Sequence, residues 1–312
     1  MRSFPNTYSR ATTTGLWAAL GGTLFALIWS LSFVVTRFAL PDIPPIMLAA
    51  IRLSVSGGLL LAVRGAAAIQ LWRQSSPATR RTILIAGLLS QAVYLGAAYW
   101  ALTAIPTSVV NIVVSSLPLL TIPAAFLVLR ERASLIEGIA VVMGMIGVGV
   151  AVLDRHSSQH LDPESYAAAA IVLLVAVAAL ALGNTLVKRI VTAHNFLDIC
   201  GPQFLVSGLV LMVVSLALET PPGWTAIARA LPELLYLVFL GSIFGIALWF
   251  RLLSVLTANQ AASFFLMTPI MGIFLGSLFL GEPMTVSKTV GVAILMASIG
   301  LKVLVAVRKR PD

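Results

Sequence analysis

The 312-residue chain is 59% hydrophobic and only 10% charged, with a mean hydropathy of +1.02. A soluble domain gives about a quarter of its residues to charge, so this composition cannot cover a water-facing surface and reads as a polytopic membrane protein. The net charge of +9 points to nucleic acid only if the basic residues lie where membrane insertion does not need them, and the single cysteine, Cys200, allows no intrachain disulfide.

Residues 1–14 form a short basic tail. The apolar run after it is too long for the core of a signal peptide and shows no cleavage site, so a retained first helix is expected. A bilayer span needs about 20 apolar residues, and ten such runs follow: 15–36, 44–63, 82–103, 107–129, 134–153, 166–187, 199–218, 232–254, 261–281 and 286–306. Each is long and rich in Ala and Leu, which predicts helices rather than strands.

In chain order, the first run puts Trp29 and Phe33 on one face. The second carries Arg52, the one charge deep in the first half; it can bind an anionic substrate group or anchor the carbonyls of a neighbouring helix. The third has Gln91 and Tyr94 on one face, and a tight "AIPTS" link leads to the fourth, with Asn111 and Ser115. Near the centre of that fourth run, Pro118 removes an amide donor and frees the Val114 carbonyl, and the run closes on Glu131. The longest polar loop, 154–165, divides the chain. Beyond it, Asn184 and Gln203 are the strong polar groups of the sixth and seventh runs, and Trp249 lies on the eighth. Arg251 and Lys302 are expected to snorkel to an interface. In the ninth run Pro269 frees the Phe265 carbonyl, with Thr268 beside it, and Glu282 closes the run.

Orientation follows the Lys/Arg balance. Of 20 such residues, four (Arg37, Arg155, Arg229, Lys288) fall in one set of connections and three (Arg52, Arg251, Lys302) within helices; the remaining thirteen lie in the other set and the tails. That bias puts both termini in the cytoplasm and explains the positive charge without nucleic acid.

A shift of 151 residues lays Pro118 on Pro269 and Glu131 on Glu282, and lays the polar pair Arg52/Ser56 on Gln203/Ser207. Beyond the glutamates an offset of 153 lays Gly138 and Gly147 on Gly291 and Gly300. Two related halves with five spans each must insert in opposite orientations, an inverted repeat with its substrate site near the midplane. The expected plan is a cytoplasmic tail (1–14), a first five-helix repeat (15–153), a central outer loop (154–165), a second repeat (166–306) and a cytoplasmic tail (307–312).

Several stretches carry a family likeness. "WSLSFVVTR" (Trp29–Arg37), "PPIMLAAIRLSVSGGLLL" (Pro44–Leu61), "LVLRERAS" (Leu127–Ser134) and "LFLGEPMT" (Leu278–Thr285) resemble motifs of EamA-type transporters in the drug/metabolite transporter superfamily. The likeness covers roughly 15–306 and implies inner-membrane export of small metabolites, amino acids or related compounds, by alternating access. The sixth run has no Trp to match the first, so the halves are expected to contribute unequally.

The candidate pocket residues are Trp29, Phe33, Arg52, Gln91, Tyr94, Asn111, Ser115, Asn184, Gln203, Trp249 and Phe265, a mix of apolar walls and few polar groups that suits a small amphipathic solute; any one can instead be helix-to-helix glue. Pro118 and Pro269 are candidate hinges or simple packing kinks. Glu131 and Glu282 are candidate gates or solvated helix ends. No carboxylate or imidazole falls at the midplane, which predicts passive or exchange transport, or coupling through a group at a helix end. No cofactor, metal or nucleic acid is expected; the partners are a small solute and the bilayer. Import or facilitation of an aromatic or vitamin-like metabolite is the alternative, and a non-transporting membrane scaffold a further one.

Overall fold

The computed structural model describes residues 7–130, 134–153, 162–188, 190, 195–256 and 264–308, and these are all-α. The long helices are α1 (Thr7–Ala39), α2 (Pro45–Gln74), α3 (Pro77–Ala101), α4 (Thr107–Leu129), α5 (Leu135–Val152), α6 (Pro163–Val187) and α7 (Phe196–Leu218). A short helix, Trp224–Arg229, leads to α8, which starts at Leu231, passes through a π-helical stretch (Tyr236–Phe244) and ends at Val255. Then come α9 (Phe264–Leu280) and α10 (Val286–Arg308). Among the described residues, eight helices, α1 to α8, are long and apolar enough to cross a membrane, and α9 is a shorter apolar helix.

The helix starts follow local chemistry. Proline opens α2, α3 and α6, where a missing N–H costs nothing. Ser134 and Glu137 form a reciprocal capping box at α5. Asp162 caps α6 by accepting the Ser165 N–H (2.9 Å) and hydroxyl (2.7 Å), which holds its carboxyl below the ordinary 3.8. The α2 helix runs to Gln74, past the expected end at 63, because in "RGAAAIQLWRQ" the one weak helix former, Gly65, is followed by strong ones, Ala66 to Ala68, Gln70, Leu71 and Arg73. It stops at Ser75, ahead of Pro77.

Two antiparallel pairs form the sides of the bundle, α2 with α7 and α5 with α10. Their backbones nearly touch. A Cβ at Gly57 would lie 2.4 Å from the Leu205 nitrogen, and one at Gly147 would lie 2.7 Å from the Gly291 carbonyl. Such approach is the small-residue packing of membrane helices. Between the pairs, α1 lies against α8 and α9, while α6 lies against α3 and α4. One continuous core includes Tyr99, Leu102, Ile112, Leu119 and Leu173; a separate cluster joins Phe25, Leu248, Leu252 and Phe265. Large apolar side chains such as Ile139, Val142 and Ile146 of α5 stay exposed, as lipid-facing residues do.

Candidate functional site, the broken helices and the seam between α1 and α8

The proline positions correct the expected kink. α4 stops at Val114, and a new helix begins at Leu117, so Pro118 lies in the first turn of its second piece, where its missing donor has no partner to lose. The Val113 carbonyl accepts the Ser116 N–H (3.1 Å) and hydroxyl (2.6 Å). α9 repeats the device. A single 3₁₀ turn, Phe264–Leu266, precedes a helix that opens at Thr268 with Pro269 in its first turn, and the Phe265 carbonyl accepts the Thr268 hydroxyl at 2.8 Å. The interior proline is Pro123. The two breaks meet: the Ser115 and Thr268 hydroxyls lie 2.8 Å apart, and Ser30 of α1 donates to the Thr268 carbonyl at 3.2 Å. Lys302 does not snorkel. Its ammonium donates to the Pro118 carbonyl and the Thr121 hydroxyl, because the break offers acceptors closer than the interface.

Arg52 is 8% exposed. Its Nε donates to the Ser242 hydroxyl at 2.9 Å and another guanidinium nitrogen donates to the Tyr99 hydroxyl. Ser242 in turn donates to the Leu237 carbonyl (3.0 Å), so the guanidinium is docked on the π-helical stretch of α8. Among the described residues no carboxylate pairs with it. Further along, Trp29 and Phe25 of α1, Trp249 of α8 and Phe265 of α9 form one aromatic cluster: Phe25 stacks on Trp249 at 4.9 Å, and Phe265 sits edge-on to Trp249 at 5.3 Å.

At one end of the bundle three links tie early elements to late ones. Glu282 accepts the backbone N–H of Thr107 (2.6 Å) and of Ser108 (2.9 Å), and the Ser108 hydroxyl, thereby capping α4. Glu219 caps α2 in the same way through Ile46 (2.9 Å) and Met47 (2.8 Å). Arg229 pairs with Asp42 at 2.6 Å. At the opposite end Arg64 pairs with Asp198 at 2.9 Å.

The other predicted positions separate. Phe33 is buried in the main core and Tyr94 is 4% exposed with its hydroxyl unpartnered. Asn111 lies against Gly272 where α4 crosses α9. Gln91 is half-buried beside Ser90. Gln203 donates to the Ile83 carbonyl at 2.9 Å and joins α7 to α3. Asn184 is exposed. Glu131 lies outside the described residues. Sequence reading missed Phe25, one turn before Trp29, and Glu219, which sits at a helix end as Glu282 does; both had a positional signal. Tyr99 and Ser242 had none, since only packing brings them to Arg52. Among the described residues no group of His, Cys, Asp or Glu could hold a metal ion.

Apolar helices that pack through glycine, two of them broken at depth and one carrying a buried guanidinium, define a polytopic membrane protein of the solute-transporter class. The EamA-like transporter family model matches the chain twice, over residues 16–153 and 167–304, and the protein belongs to that family. Protein PecM of Dickeya dadantii is 27% identical over 278 residues, 87% of each chain. A probable amino-acid metabolite efflux pump of Salmonella typhimurium is 25% identical, over 90% of this chain and 92% of its own. The uncharacterized inner membrane transporter YedA of Escherichia coli is 27% identical over 281 residues, 86% of this chain and 85% of its own. A solved crystal structure superposes with a TM-score of 0.64 at 17% identity, over 94% of this chain and 99% of that one, a likeness of fold. The protein is thus a secondary transporter of small metabolites, in the drug/metabolite transporter superfamily, and not an enzyme.

Proposed function

We propose that this chain exports a small metabolite across the inner membrane by alternating access between two inverted five-helix repeats, ten spans in all. The observation that carries it is the meeting of two matched breaks, before Pro118 in α4 and before Pro269 in α9, through the Ser115–Thr268 contact. In each break a hydroxyl already satisfies one carbonyl, Ser116 that of Val113 and Thr268 that of Phe265, which lowers the cost of one helix half swinging in lipid. The double family match and the matched π-helical stretches, Leu88–Val93 in α3 and Tyr236–Phe244 in α8, support the repeat. In this reading Pro118 and Pro269 are hinges, and Glu282 is the outer gate with Glu131 its cytoplasmic counterpart. Trp29, Trp249, Phe265 and Arg52 line the path, joined by Gln91, Asn111 and Asn184 as either gate opens. The relatives, a probable amino-acid metabolite efflux pump and an inner membrane transporter, favour export and the inner membrane.

The test compares metabolites in the medium of cells that lack the protein with those that overproduce it or its Pro118→Ala/Pro269→Ala variant. Export predicts a solute enriched outside only when the wild-type chain is present, and lost when the breaks are healed in a variant that still inserts. A solute depleted from the medium makes the protein an importer, and no difference for any solute overturns transport.

A further inference from the structure

One face of α1 presents Phe25, Trp29 and Ser32, and α8 answers with Ser242, Gly245 and Trp249. The two faces meet. Tyr236 of α8 donates to the Ile28 carbonyl of α1 at 3.1 Å, and Phe25 stacks on Trp249. Gly241 brings the α8 backbone so close that a Cβ there would lie 2.9 Å from the Ser32 hydroxyl and 3.1 Å from Arg52 Nη2. The seam is polar at one end and aromatic at the other. Ser242 and Trp249 are seven residues apart, about 10 Å at helical rise.

The polar end is electrically incomplete. The Arg52 guanidinium is buried, yet among the described residues its hydrogen bonds go only to the neutral Ser242 and Tyr99 hydroxyls. A buried cation without an opposite charge is costly, and an anion brought to it recovers that cost. A second donor lies on α3, the helix that carries Tyr99. The Tyr94 hydroxyl is buried and has no partner among the described residues. Among the described residues no acidic side chain pairs with the seam to receive an ammonium group.

We infer that this seam binds a small organic anion with an aromatic body, its carboxylate held by Arg52 and Tyr94 and its ring lying against Trp249 and Phe265. Guanidinium and phenol together offer the directional donors that a carboxylate accepts, and the aromatic wall offers stacking. The seam therefore selects a net anion over a zwitterionic amino acid of the same shape. This deepens the transport reading and rests on it.

The test loads purified protein into liposomes and measures exchange of labelled phenylacetate against phenylalanine, phenylacetamide and phenethylamine, with tryptophan fluorescence of the detergent-solubilised protein reporting binding. Phenylacetate should bind and exchange best, with the amide weaker by about tenfold or more. Arg52→Gln should abolish that preference. Should Arg52→Gln fail to fold, Tyr94→Phe decides: its hydroxyl has no partner among the described residues, so melting should hold steady or rise while phenylacetate affinity drops about tenfold. A purely structural tyrosine would leave affinity unchanged. Exchange of phenylalanine or the amine in preference to phenylacetate overturns the anion assignment and leaves the transport reading intact. Exchange of no solute by folded protein overturns both.

Discussion

The Glu282 carboxylate takes two backbone N–H groups and one hydroxyl from the start of α4. Those N–H groups have no partner inside their own helix, and the helix N-terminus favours negative charge. Glu282→Gln keeps the shape but removes the charge. Hydrogen bonds to a charged group contribute about 1.5–3 kcal/mol and neutral ones nearer 1 kcal/mol, so the variant should lose about 1–2 kcal/mol of stability. Ser108→Ala, which removes only the hydroxyl, should lose about 1 kcal/mol. Thermal melts of the two variants in detergent check the order, and a Glu282→Gln melt that overlays wild type means the cap adds nothing. The residue preceding each glutamate makes a related point. Gly281 and Arg130 both end their helices in the left-handed region, at φ of 65° and 59°. Glycine takes that conformation freely, whereas Arg130 holds it against a steric cost of about 1 kcal/mol. At the helix end itself, Arg130 of "LVLRERAS" thus takes the same left-handed conformation as Gly281 of "LFLGEPMT", at a higher cost.

The α5–α10 pair is governed by glycine. A Cβ at Gly147 would lie 2.7 Å from the Gly291 carbonyl and 2.8 Å from the Leu295 nitrogen, and one at Gly291 would lie 2.6 Å from the Gly147 carbonyl. Backbone atoms cannot swing aside as a side chain does, so Gly147→Ala and Gly291→Ala should each cost about 1–3 kcal/mol of overpacking. Gly149, with open space around it, should accept alanine and gain up to about 1 kcal/mol of helix propensity. Yield of monodisperse protein and melting temperature should fall for the first two and hold for the third; equal behaviour of all three would show that the helices separate at no cost. The same pair marks how far the sequence could be read. Composition and run length were enough for an all-α membrane protein, eight of whose helices are long and apolar enough to span among the described residues, since lipid demands long apolar segments. Glycines flagged an interface, yet the aligned pairs are not the ones that meet: Gly147 meets Gly291, while Gly138 and Gly300 face open space. Proline and glutamate stood out as chemical exceptions: the helix is broken ahead of Pro118 and of Pro269 rather than bent around them, and Glu282 caps α4. Arg52 stood out too, but its partners Tyr99 and Ser242 are distant in sequence and ordinary in type. Gln203, equally visible, turned out to tie α7 to the Ile83 carbonyl. A residue's oddity is local information; what it touches depends on helix register, which an apolar sequence barely specifies.

At the scale of the molecule, the three links at the Glu282 end all run between early and late parts of the chain: Asp42 to Arg229, Ile46 and Met47 to Glu219, Thr107 and Ser108 to Glu282. On the alternating-access reading proposed above, they hold that end closed above the seam where Ser32 and Arg52 lie. The orientation expected from the Lys/Arg bias has this end outside the cell, so on that reading weakening the links should admit water from outside. The reporter is a single thiol at Ser32→Cys, a position 7% exposed, in a Cys200→Ser background, challenged on intact cells with a membrane-impermeant maleimide. Gly223→Cys, exposed between α7 and α8, should label at once on intact cells, and Gln74→Cys, at the opposite end, only after permeabilisation. The reverse pattern would invert the orientation. Against that frame the Ser32→Cys thiol should label slowly, and adding Glu219→Gln with Arg229→Gln should speed it. Each tenfold gain corresponds to about 1.4 kcal/mol removed from the closed state's preference. Unchanged labelling with both links cut would mean that the closed end is held by packing alone and is no gate. Faster labelling only from the cytoplasmic side would place the moving gate at the other end, where Arg64 and Asp198 pair.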